Sequence, residues 1–158
     1  MTRVIKPTQR QLLETGSEAT AQRGVIKWWA TACEKFGLPE NVLYHVPNGG
    51  SRDYVEACQL KLQGVRRGIP DLFLAVPRGH FHGLYIEMKR PNGGTLSSDQ
   101  KEFLEGAKTR MYCAFACHGS EAAIELISRY LQGGGSELEL SSSVLTFGDM
   151  ECPFKEEK

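Results

Sequence analysis

The chain has 158 residues, 41% hydrophobic and 24% charged, with 19 Lys and Arg set against 19 Asp and Glu. That length suits one domain with a real core, and the balance is that of a globular protein rather than a disordered or collagen-like one. No apolar run approaches the ~18 residues of a membrane span and no basic-then-apolar leader opens the chain, so neither a membrane association nor a secretory signal is expected.

The zero net charge is unevenly spread. Residues 1–132 carry 17 basic and 13 acidic side chains, net +4, whereas residues 133–158 carry 2 and 6, net −4. A mildly basic body with an acidic tail is consistent with phosphate binding. The five cysteines (Cys33, Cys58, Cys113, Cys117 and Cys152) are odd in number and irregularly spaced. That pattern predicts a reduced, cytoplasmic protein. A zinc site from Cys113, Cys117 and His118 is conceivable, but alternation in a buried strand explains those residues more simply.

In chain order, residues 1–16 are polar and without periodicity, and read as an arm. Ser17 is a candidate N-cap for a helix to about Phe36, with Ala21, Val25, Trp28, Trp29, Ala32, Cys33 and Phe36 at helical spacing. Both tryptophans are assigned to the core rather than to base stacking. Gly37-Leu38-Pro39 stops the helix, and residues 42–46 form a short strand ending at Pro47. His45 is given a structural place and no chemical role. Asn48, Gly49 and Gly50 make a loop whose backbone N–H groups, near Arg52, can approach a phosphate because two glycines remove obstruction. A plain turn is the alternative. Ser51 caps a second helix to about Gln63, its apolar face supplied by Tyr54, Ala57, Cys58, Leu60 and Leu62, and Gly64 closes it. Arg66 and Arg67 then stand just before an acidic strand, as candidate phosphate contacts.

Residues 68–76 and 83–89 are two apolar runs joined by turn-forming residues 77–82, the pattern of a β-hairpin. Asp71 opens the first strand and Glu87-Met88-Lys89 ends the second. Antiparallel pairing brings Asp71 beside Glu87 and Lys89, and strand alternation turns Glu87 and Lys89 to one face with Met88 opposite. Two carboxylates are hard oxygen ligands of the kind Mg²⁺ takes, one or two from protein and the rest from water and phosphate. Lys89 is placed to orient or activate a water. A surface ion pair is the bland alternative. Beyond a glycine-containing loop at 90–95, Ser97 or Ser98 caps a third helix, with Asp99 in its first turn and Phe103, Leu104 and Ala107 facing inward. Residues 111–117 form a buried strand and 120–131 a final helix, with Ala123, Ile124, Ile127 and Leu131 inward. Residues 133–136 are a glycine-rich linker, followed by a tail with a short strand at 144–147. A mixed α/β sheet flanked by helices satisfies these burial patterns.

Pro70-Asp71 followed by Glu87-Met88-Lys89 resembles the PD-(D/E)xK nuclease signature. With Asn48-Gly49-Gly50, Arg52, Gly64-Val65 and Gly68-Ile69-Pro70-Asp71, the chain is similar to the VRR-NUC branch over roughly residues 17–132. The resemblance implies a restriction-endonuclease-like core of order αβββαβ, with an extra helix after the first strand. It implies a Mg²⁺- or Mn²⁺-dependent DNA endonuclease, structure-selective in the manner of a Holliday-junction resolvase, and a homodimer suited to a two-fold DNA substrate. In that reading Asp71, Glu87 and the Met88 carbonyl hold metal and Glu18 assists, with Gln22 near it. Lys89 activates water, Gln100 steadies it, and Lys101 contacts backbone phosphate. Glu18 is otherwise explained by the helix dipole, and Gln100 as an exposed helix residue. The competing reading is a non-catalytic DNA-binding or assembly module that keeps the nuclease fold.

Overall fold

The computed structural model describes residues 18–47, 54–133 and 144–145. Helix α1 (Glu18–Ala32) buries Ala21, Val25, Trp29 and Ala32, one residue per turn on a single face. The single helix expected to Phe36 changes pitch at its end. Cys33–Phe36 is a 3₁₀ turn that closes on Gly37, whose φ of 66° is the left-handed geometry glycine adopts without strain. There follow β1 (Leu43–His45), α2 (Tyr54–Leu62), β2 (Leu72–Leu74), β3 (Leu84–Lys89), α3 (Ser98–Thr109), β4 (Cys113–His118), α4 (Gly119–Gly133) and β5 (Val144–Leu145).

The strands form one mixed sheet in the order β1-β2-β3-β4-β5. β1, β2 and β3 are antiparallel neighbours, β4 runs parallel to β3, and β5 returns antiparallel to β4. The predicted hairpin is the β2–β3 pair, in the register Leu72↔Ile86, Phe73↔Tyr85 and Leu74↔Leu84. A parallel β3–β4 pair needs a crossover, and α3 supplies it.

Alternation along β3 separates two apolar layers. Leu84, Ile86 and Met88 join Val25, Trp29, Leu72, Leu126, Ile127 and Tyr130 under α1 and α4. On the other face Leu96, Leu104, Ala107, Ala114 and Ala116 form a smaller cluster under α3, with Tyr85, Phe103 and Tyr112 packed against it. Gly24 lets α1 approach α4, since a Cβ there would stand 3.1 Å from Ser120 Cβ. Tyr130 ties α4 to the sheet by donating from its hydroxyl to the Val76 carbonyl at 2.7 Å. Both tryptophans serve the core: Trp29 is buried and donates from Nε1 to the Glu40 carbonyl at 2.8 Å, and Trp28 packs beside it.

Two expectations are corrected. The apolar stripe of α2 faces water: Val55 is 65% and Leu62 81% exposed, and Ala57 and Cys58 are exposed too. Helical spacing identifies a stripe but does not supply a partner for it. The strand expected from residue 111 begins at Cys113, because Met111, with φ 61°, caps α3. Tyr112 N–H returns to the Ala107 carbonyl and Met111 N–H to Lys108, the bonding that ends a helix in a left-handed residue.

Cys113 and Cys117 are buried in the core, and burial pushes the Cys117 thiol up to about 12. His118 instead pairs Nδ1 with the Arg90 carbonyl at 2.9 Å. Cys113 and Cys117 thus take the core places that strand alternation gives them. Among the described residues, no helix is long and apolar enough to cross a membrane.

Candidate active site

The polar residues that the hairpin was expected to gather meet at the end of β3. Register explains why. With Leu72 opposite Ile86, Asp71 lies one residue beyond the paired strand, across from Glu87. Its carboxylate Oδ2 accepts the Met88 N–H at 2.8 Å. One step further the same register sets Pro70 across from Met88. Proline has no N–H to donate there, so the Met88 carbonyl receives no ladder bond from that residue. Glu87 and Lys89 share the face opposite Met88, and Lys89 Nζ donates to Glu87 Oε1 at 2.9 Å. Only 3% of Glu87 and 6% of Lys89 is exposed, so this is a buried pair and not a surface ion pair.

Helix α3 completes the cluster with its first turn. Ser97 and Gln100 form a reciprocal capping box: the Gln100 N–H donates to Ser97 Oγ at 3.2 Å and Ser97 N–H to Gln100 Oε1 at 2.9 Å. The same Gln100 side chain donates from Nε2 to Glu87 Oε1 and accepts from Lys89 Nζ at 3.4 Å. Gln100 is thus no free surface residue; the cap that starts the helix also aims its amide at the acid. The segment leading to Asp71 is pressed against this turn, for a Cβ on Gly68 would lie 2.5 Å from the Asp99 backbone.

Burial dominates the electrostatics. It pushes the Glu87 carboxyl up to about 7, aided by the nearby Asp71 charge and opposed by Lys89. The Asp71 carboxyl is also raised by burial, against the Met88 N–H, Lys89 and His45, which hold it down. Two acids near each other in a site of low dielectric resist simultaneous ionisation. A divalent cation is the partner that relieves this, and two carboxylates with a backbone carbonyl are the hard oxygen donors Mg²⁺ or Mn²⁺ takes alongside water. The set therefore fits such an ion. Among the described residues no group of three or more His, Cys, Asp or Glu side chains stands together to hold a metal. Glu18 accordingly does not join Asp71 and Glu87 as a third direct ligand in this geometry. It does lie near them: its charge acts on both, and its Oε1 is 3.6 Å from where a Gly94 Cβ would be, beside Lys89.

The remaining candidates are dispersed. Arg66 and Arg67 are exposed on the segment between α2 and β2, and Arg66 Nη1 donates to the Lys61 carbonyl at 3.3 Å. A cleft of about 330 Å³ lies beside Arg66, between Val46 and Pro47 on one side and Gln63 to Val65 on the other. Lys101 is exposed on α3 and Gln22 half-buried on α1. Asn48, Gly49, Gly50 and Arg52 lie outside the described residues. One neighbour had been given no role: His45, at the end of β1, places Nδ1 2.8 Å from the Asp71 carbonyl oxygen. Only the strand register could have exposed it, since nothing about an isolated histidine before a proline loop signals the contact.

Comparison with known proteins agrees with this geometry. The family model described as the VRR-NUC domain matches residues 8–121. A solved structure titled "VRR_NUC domain protein" superposes with a TM-score of 0.63 at 31% identity, covering 73% of this chain and 88% of that one. No match is found among curated proteins. The matched span holds Asp71, Glu87, Lys89 and Gln100, and the chain belongs to the VRR-NUC family, a nuclease domain of the PD-(D/E)xK type.

Proposed function

We propose that the protein is a Mg²⁺- or Mn²⁺-dependent DNA endonuclease that cuts branched DNA as a homodimer. The observation that carries the catalytic part is the convergence of half-buried Asp71 with buried Glu87 and Lys89 at one strand end, with both carboxyl groups raised. Buried charge is costly, and this cluster sets two acids against the single ammonium of Lys89, which leaves room for a further cation.

In this reading Asp71, Glu87 and the Met88 carbonyl would hold the ion, and Glu18, whose charge acts on both acids, would assist. When bound, such an ion lowers the pKa of a water and neutralises charge on the phosphodiester. Lys89, donating to Glu87, is aimed to orient or activate the attacking water. Gln100 holds both Lys89 and Glu87 and so fixes their relative position, and it can turn one amide bond toward water or a phosphate oxygen. Arg66, Arg67 and Lys101, with the 48–52 loop, supply phosphate contacts that position the strand. Branched DNA and a homodimer are the finer part of this reading, which the family resemblance implies, and a two-fold dimer suits a two-fold junction.

The test is a cleavage assay comparing a four-way junction, a flap and linear duplex in Mg²⁺ or Mn²⁺ at low salt, with Asp71→Ala as control. Paired symmetric nicks in the junction, absent from the variant, are expected. Equal cutting of all three substrates would leave an unselective endonuclease. DNA binding without cutting would favour the non-catalytic module.

A further inference from the structure

Asp71 presents a mechanical problem. Regular strand pairing on both sides of β2 ends at Leu72, opposite His45 of β1 and Ile86 of β3. The residue proposed to hold the ion therefore begins where regular strand pairing ends, directly after Pro70, which brings no N–H to anchor it. Three hydrogen bonds hold it, the first continuing the β1 register by one residue. The Asp71 carbonyl accepts the Val46 N–H at 2.8 Å and meets His45 Nδ1 at 2.8 Å, while its carboxylate accepts the Met88 N–H at 2.8 Å. A carbonyl only accepts, so Nδ1 is the nitrogen that bears hydrogen, and both lone pairs of that oxygen are used. The imidazole itself is exposed, so apolar packing does not account for its orientation.

We propose that His45 is a positioning residue of the active site: its Nδ1–H clamps the Asp71 carbonyl and thereby sets the direction of the Asp71 carboxylate. The ion-holding part of this role rests on the nuclease reading above. The clamp joins the end of β1 to the acid at the mouth of β2, and Asp71 in turn reaches β3 through Met88. The three strands are thus tied through one residue at the point where the sheet opens. Removing the imidazole leaves Val46 as the sole partner of the carbonyl and lets the peptide rotate, which moves the carboxylate away from the Met88 N–H.

The experiment uses the full chain with His45→Ala, His45→Asn and His45→Gln. The asparagine amide nitrogen sits where Nδ1 sits and can donate to the same carbonyl; that of glutamine matches the other ring nitrogen. Because the Met88 N–H donates to the Asp71 carboxylate, its NMR signal in metal-free protein reports on the acid directly, and calorimetric titration with Mg²⁺ reports on ion binding. His45→Ala is expected to shift the Met88 amide and weaken Mg²⁺ binding by roughly 3- to 10-fold, the scale of one neutral hydrogen bond. His45→Asn restores both and His45→Gln restores neither. An alanine variant with wild-type Met88 signal and Mg²⁺ affinity overturns the proposal, as does rescue by glutamine equal to that by asparagine. Should the alanine variant not fold, the asparagine and glutamine variants still decide it. If wild-type protein binds no Mg²⁺ and cuts no DNA, the nuclease reading fails, and the Met88 signal alone still decides whether the clamp exists.

Discussion

Burial and the Asp71 charge push the Glu87 carboxyl up to about 7 from an ordinary value of 4.5. The folded protein then keeps a proton that the unfolded chain gives up between about pH 4.5 and 7. Stability of the metal-free protein must fall as pH rises through that window, because the folded state binds more protons. The full effect is on the order of 3 kcal/mol for a buried carboxyl shifted this far. Glu87→Gln removes the titrating group, so its urea-denaturation stability is expected to stay flatter from pH 5 to 8 and to exceed wild type at pH 8. Adding Mg²⁺ at pH 8 should raise wild-type stability and leave the variant little changed. A wild-type profile that rises with pH in the absence of metal would contradict the assignment of the shift to Glu87. The Asp71, Glu87 and Lys89 grouping was legible in sequence because strand alternation and hairpin pairing are both local rules. Their depth of burial was not, since it depends on α3 closing over the strand end.

At the scale of the element, α3 joins stability to chemistry. Its capping box satisfies the first-turn N–H groups with Ser97 and uses Gln100 both as cap and as partner of Glu87 and Lys89. Ser97→Ala is expected to cost about 1 kcal/mol through loss of the cap. It should also lower cleavage a few-fold as the Gln100 side chain loosens, measured by denaturation and single-turnover cutting of the same preparation. A loss of stability with unchanged cutting would separate the cap from the site. Ser97 or Ser98 as cap was readable from spacing, whereas Gln100 near the site followed only from the family resemblance. That one side chain serves both was not legible, because it requires knowing where β3 ends relative to the helix. The exposed stripe of α2 failed for a related reason: periodicity describes a helix face, while the choice of covered faces belongs to the whole sheet. The contact of His45 was not legible either, since its partner lies 26 positions away and only register brings them together.

Over the whole molecule, the order of helices and strands fixes where the chemistry sits. Three antiparallel strands and one parallel strand align Asp71 and Glu87 at one sheet end, and α1, α3 and α4 cover the two faces, so that Glu87 and Lys89 are buried while Asp71 stays half-exposed. Polar groups in such a place are retained at a cost in stability, as functional sites commonly are. The fold, shared with a VRR-NUC structure over 73% of this chain and 88% of that one, makes phosphodiester cleavage the central claim. The most direct test is single-turnover cutting of a covalently closed DNA circle, which offers no ends, by wild type, Asp71→Ala and Lys89→Ala with and without Mg²⁺ or Mn²⁺. Nicking by wild type that stops with a chelator and falls at least ~100-fold in each variant is the predicted result, the scale of lost acid–base and ion-holding groups. An intact circle after incubation with folded, ion-binding wild type, or variants as active as wild type, would contradict it.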